Sequence, residues 1–150
     1  MTEAKTFRYK TNLARKMSAP GGRSADEALA AADRALSSHR DAAMQALAVI
    51  LTRLEAACAA QRRPDIYEQA AALLDLSGFF ETGPLHPAIF SLCEISDPGA
   101  GVWDWPSIEV HVRAIRRILN SECRDTDESR LLLDGLVAVR QRLQNRTRPG

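Results

Sequence analysis

From Ser24 to Ala60 the chain contains neither glycine nor proline, and its apolar residues recur at helical spacing. Leu29, Ala32, Leu36, Ala43, Leu47, Ile50, Leu54 and Ala57 follow one another in steps of mostly three and four, which places them on one face of a helix. Ser24 and Glu27 stand in the Ser-x-x-Glu order of a capping box, a helix-start signal. Thirty-six residues at 1.5 Å each would span roughly 54 Å. That is long for 150 residues, and Ser37-Ser38 is the natural place for a break. A chain that opens its body with such a helix is committed to burying the apolar face against other helices or a second copy.

The rest of the sequence supplies those helices. Ala (24) and Leu (17) far outnumber Val (6), Ile (7) and Tyr (2), a mix that favours helix over strand. Arg62-Arg63-Pro64 opens a second segment, with Ile66, Ala70, Leu73, Leu74 and Ser77 inward, closed by Gly78 and Gly83-Pro84. A shorter third runs from about Pro87 to Ile95. Trp105-Pro106 starts a fourth, with Ile108, His111, Val112, Ile115 and Leu119 on one side. Asp125-x-x-Glu128 reads as a second capping box, ahead of Leu132, Leu136, Val139 and Leu143. Phe79, Phe80 and Phe90 are expected in the core. The fold class that follows is all-α: a single-domain, up-and-down bundle of four to five helices with a long first helix. Residues 1–23 form a basic arm, 24–144 the bundle, and 145–150 a basic tail.

The formal net charge of +1 conceals a division. Residues 1–23 hold six basic groups against Glu3, a net +5. Residues 24–139 hold ten arginines against eighteen acids, a net −8. Residues 140–150 carry four arginines and no acid. Two basic ends on an acidic body fit either an arm folded onto its own chain or one that reaches an anionic partner. Aromatic residues are not interleaved with the charges in the way single-stranded nucleic acid requires, which points away from nucleic acid. No stretch reads as an unbroken apolar span of about eighteen residues, so no membrane span is expected. Cys58, Cys93 and Cys123 are scattered, and the first residues lack a secretory pattern. A cytoplasmic protein with reduced thiols is the corresponding expectation.

Motifs for chemistry are absent: there is no nucleophile elbow, phosphate loop, dinucleotide fingerprint or metal-ligand spacing around His39, His86 and His111. No catalytic, cofactor-binding or metal residue is assigned, and the chain is not expected to be an enzyme. His111 is the one candidate phospho-acceptor. It lies mid-helix with Arg113 and Arg117 nearby in sequence, and the plainer alternative is an imidazole at the core edge. It lacks the Lys and Gly that usually follow a phosphotransfer histidine. Candidate partner-binding residues are Arg8, Lys10, Arg15 and Lys16 in the arm, Trp103 and Trp105 ahead of the fourth helix, and Arg113 and Arg117 on it. The two tryptophans serve equally as a plug at the end of the bundle.

Several patches, in order, resemble one family. These are Phe7-Arg8 through Pro20-Gly21-Gly22 into Glu27-Ala28-Leu29, then Phe90-Ser91-Leu92-Cys93-Glu94-Ile95. The stretch from Trp105-Pro106-Ser107-Ile108 to Arg116 follows, and then Leu132-Leu133-Asp134-Gly135-Leu136-Val137. Together they resemble the small CheE-type chemotaxis proteins. The resemblance implies a bacterial helical accessory, or adaptor, in a chemosensory or two-component cluster, with a protein partner and no catalytic residue to carry over. A histidine phosphotransfer-like role through His111, and an anionic surface or nucleic acid bound by the tails, are the alternatives. A homodimer through the first helix is a further expectation.

Overall fold

The computed structural model describes residues 24–147, and these contain five helices and no strand. They are α1 (Ala25–Ala59), α2 (Arg63–Ser77), α3 (Leu85–Ser96), α4 (Trp105–Asn120) and α5 (Asp127–Thr147). The all-α bundle read from the sequence is the architecture found. The basic arm lies outside the described residues.

α1 starts at its capping box. The Glu27 amide donates to Ser24 Oγ at 3.2 Å, and the Ser24 amide donates to Glu27 Oε2 at 3.2 Å. Asp26 and Glu27 add negative charge where the helix dipole favours it. Ser37 and Ser38 do not break the helix. The division falls later and is of another kind: two compact units meet in the sequence at Arg40 and Asp41. In the first unit Leu29 and Leu36 are 64% and 67% exposed. In the second, Leu47, Leu51, Leu54, Ala57 and Cys58 are buried. By length and composition α1 could cross a membrane, since an 18-residue window has a mean hydropathy of 1.4. Its apolarity also has a use within the chain, because the same helix delivers three fully buried leucines to the core.

α1 ends on a left-handed residue. Gln61 has φ 51°, the Gln61 amide donates to the Cys58 carbonyl at 3.1 Å, and the Arg62 amide donates to the Ala57 carbonyl at 2.9 Å. This pair of bonds is a Schellman motif. α4 closes the same way, with Glu122 at φ 59° and bonds from the Glu122 and Cys123 amides to Leu119 and Ile118.

The second unit is organised around α3, the shortest helix. It packs against α2, α4 and α5. Leu85, Ala88, Ile89, Ser91, Leu92, Cys93, Ile95 and Ser96 are all buried. A helix apolar on nearly all sides belongs in the interior, and the ring of one-sided helices around it follows. α1 joins α4 through Arg116, which pairs with Glu55 and donates to Thr52 Oγ1 at 3.2 Å.

Four local expectations change. The second capping box is built by Thr126 and Ser129: each amide donates to the other's hydroxyl, at 2.9 and 3.1 Å. Asp125 is engaged by Arg130 at 3.0 Å and Glu128 by Arg117, so neither carboxylate caps the helix. Phe79 is 84% exposed and Phe90 45%, leaving only Phe80 packed on the core. Phe90 shares the exposed face of α3 with Pro87 and Glu94, three and four residues away. Finally, α5 continues through Asn145 and Arg146 to Thr147, beyond the expected end at residue 144.

Candidate functional site

His111 is fully buried. Its Nδ1 lies 2.8 Å from the Ser107 carbonyl oxygen, one turn back on α4, and its Nε2 lies 2.9 Å from Ser91 Oγ on α3. A carbonyl only accepts, so Nδ1 carries the proton and donates. Nε2 is then the acceptor for the Ser91 hydroxyl. Burial pushes the imidazole pKa down to about 4, the Ser107 carbonyl opposes this, and the charge of Arg140 adds to it. The ring is neutral and both nitrogens are used. The imidazole has no exposed surface for a phosphoryl donor to reach. Arg113 and Arg117 share a helix with it but lie roughly 160° and 120° round the axis, at about 100° per residue.

The other histidines are separate. His86 Nδ1 sits 2.8 Å from Ser77 Oγ, and His39 is exposed on α1. Among the described residues no three His, Cys, Asp or Glu side chains come together at metal-holding distance. Cys58, Cys93 and Cys123 are buried and unpaired with one another. Burial, and secondarily Asp75, raise Cys93 to about 11, and burial followed by Glu109 raises Cys58. Neither is a ready thiolate.

Trp103 and Trp105 pack edge to face, with centroids 5.1 Å apart and ring planes at 80°. The Arg63 guanidinium lies 4.5 Å over the Trp103 ring. Both tryptophans are half-buried against the core, so they close the chain between α3 and α4 onto the start of α2. Asp104 between them caps α4 by accepting from the Ser107 amide at 3.1 Å.

An apolar groove lies between α4 and α5. It measures about 390 Å³ and is walled by Val110, Ala114, Leu131, Leu132, Leu136 and Val139, with Arg113 and Arg117 on the α4 rim. Leu131 is 72% exposed and Val110 46%. Gly135 lies in its wall, and a Cβ built there meets nothing within 4 Å. A glycine inside a helix costs about 1 kcal/mol relative to alanine, and no packing among the described residues calls for it. Beyond Val139 the groove continues past Arg142 and Arg146. Arg117 is paired with Glu128. Arg113, Arg142 and Arg146 have no ion-pair partner among the described residues.

Of the candidates read from the sequence, only Arg113 and Arg117 share a surface. Trp103 and Trp105 lie at the bundle end, and Arg8, Lys10, Arg15 and Lys16 lie outside the described residues. Leu131, Gly135, Arg142 and Arg146 were not anticipated, although a signal for them was present. Three consecutive leucines, 131–133, sweep about 200° of a helix and cannot all face inward. A mid-helix glycine follows two residues later. No protein-family model matches the chain, and neither the curated proteins nor the solved structures yield a match.

Proposed function

We propose that the protein is a non-enzymatic helical adaptor that holds a protein partner on its α4–α5 face, as a cytoplasmic accessory in bacterial chemosensory or two-component signalling. The observation that carries the adaptor reading is the open apolar groove with exposed Leu131 and with Arg113 and Arg117 on its rim. The signalling context rests on the sequence resemblance to CheE-type proteins. Arg113 and Arg117 are the partner-binding residues this reading keeps on the folded body. The basic arm, with Arg8, Lys10, Arg15 and Lys16, adds attraction for an acidic partner.

The test is direct binding of the full chain to purified chemosensory components: a histidine kinase, a receptor signalling domain and a response regulator. Saturable binding to one of them, weakened tenfold or more in Leu131→Glu, is expected. Absence of binding to all three overturns the signalling assignment. The exposed Leu29 and Leu36, two turns apart on α1, also fit pairing of that segment with its own copy. Sedimentation of the chain and of Leu36→Asp measures this, and a monomer at high concentration rejects it.

A further inference from the structure

From the shape and charge of the α4–α5 groove we infer that its occupant is an amphipathic helix of a partner protein whose apolar stripe is flanked by acidic residues. The inference rests on the adaptor reading and specifies the partner's chemistry.

Length comes first. The apolar wall and its basic extension run from Leu131 to Arg146, sixteen residues of α5, or roughly 22 Å from end to end at 1.5 Å per step. That accommodates about four turns of a helix laid along the groove. Close approach comes second. Gly135 leaves unfilled space at the middle of the wall, opposite Ala114, and small residues at a crossing let two helices come close enough for side chains to interdigitate. A glycine that destabilises its own helix and is not needed by its own neighbours is explained by a neighbour from outside.

Charge decides the kind of helix. Arg113 on one rim and Arg142 and Arg146 at the far end form no ion pair among the described residues. Of the acids at hand, Glu128 is paired with Arg117, and Asp104, which accepts from the Ser107 amide and hydroxyl, is the one carboxylate lining the cleft with Arg142 and Arg146, leaving two cations to one anion there. Glu109 lines the α1-facing cleft of α4, which Arg113 also borders, so Arg113 stands between the two clefts. A helix bearing Glu or Asp beside its leucines finds charge-assisted hydrogen bonds at the rim. The chain's own residues 1–23 carry a net +5 and meet the same sign there. A second copy laid groove to groove brings arginine against arginine.

The experiment uses the full chain and two labelled helical peptides of about sixteen residues. Both have leucine at i, i+3, i+7 and i+10. One carries glutamate at the flanking positions and the other carries lysine. Fluorescence anisotropy is expected to show the acidic peptide binding at least tenfold tighter, with the gap shrinking as salt rises. Combined Arg113→Glu and Arg142→Glu substitution is expected to remove that preference. Gly135→Leu is expected to weaken the acidic peptide tenfold or more while leaving the thermal midpoint at or above that of the parent. Equal affinity for the two peptides overturns the inference, as does indifference to Gly135→Leu. Binding that appears only after residues 1–23 are deleted assigns the groove to the chain's own arm, and a groove protected in a stable dimer assigns it to a second copy; either overturns it too. If the acidic peptide fails while a chemosensory protein still binds, the groove assignment falls and the adaptor reading stands. If the peptide binds and no signalling protein does, the pathway alone is lost.

Discussion

Ser91 Oγ and His111 Nε2, twenty residues apart in sequence, stand 2.9 Å from each other in the interior and join α3 to α4. The His111 Nδ1–H bond to the Ser107 carbonyl sets the tautomer that makes this possible. One buried polar chain, Ser91 hydroxyl to imidazole to carbonyl, thus links the central helix to its most one-sided neighbour, and protonation reverses the Ser91 bond and places a charge in the interior.

The pH dependence has a definite sign. The folded-state pKa of His111 is about 4, below its ordinary 6.5. The unfolded chain therefore takes up a proton first as pH falls. The stability from this group is complete above about pH 6.5 and is lost progressively down to about pH 4. A shift of this size corresponds to roughly 3 kcal/mol. Urea midpoints measured between pH 7.5 and 4 should fall accordingly, and the fall should flatten in His111→Gln. A His111 resonance titrating near 6.5 in the folded protein would contradict it.

Removing the partner tests the same link at fixed pH. Ser91→Ala leaves the buried Nε2 without a donor, at a cost of about 1–3 kcal/mol. Equilibrium denaturation at pH 7 reads this directly. An unchanged midpoint would mean that the hydroxyl contributes nothing.

Two glycines should respond in opposite directions to alanine. Gly83 has φ +51°, and a Cβ there would lie 2.8 Å from the Cys123 carbonyl oxygen, a backbone atom with little room to move. Gly83→Ala should destabilise by about 2 kcal/mol or more. Gly135→Ala enters open space in a helix and should stabilise by up to about 1 kcal/mol. Thermal unfolding of the two variants side by side checks the pair, and equal shifts would refute it.

Gln61 holds the left-handed position that ends α1, where a side chain is strained and glycine is not. Gln61→Gly should raise stability by about 1 kcal/mol while keeping the Arg62–Ala57 bond. A lower unfolding midpoint would show that the glutamine side chain contributes more than its strain costs.

Trp103 Nε1 is buried with no hydrogen-bond partner. Trp103→Phe removes the unmet donor while keeping a ring beneath Arg63. It should remain within about 1 kcal/mol of the parent, whereas Trp103→Ala should lose about 3 kcal/mol or more. Equal losses in the two variants would indicate that the N–H is satisfied in solution.

Local rules carried the reading of this chain a long way. Helix class, the Ser24–Glu27 cap, the Pro64 and Trp105-Pro106 starts and the stripes of α2 and α4 all follow from spacing and from which backbone groups need partners. Where two local readings competed, spacing alone was not enough. Asp125 and Glu128 match a cap as well as Thr126 and Ser129 do. The arginines at 117 and 130, one brought in by the fold, take the carboxylates and leave the hydroxyls to the amides.

The amino-acid order by itself determined that this is an all-helical chain, because propensity, capping and periodicity act within a few residues. Only the tertiary structure decided what those helices do with their faces. Burial depends on what arrives from elsewhere in the chain. It made the short α3 the axis, closed His111 between two serines, left Phe79 and Phe90 outside, and left the α4–α5 groove open with Arg113 at its rim.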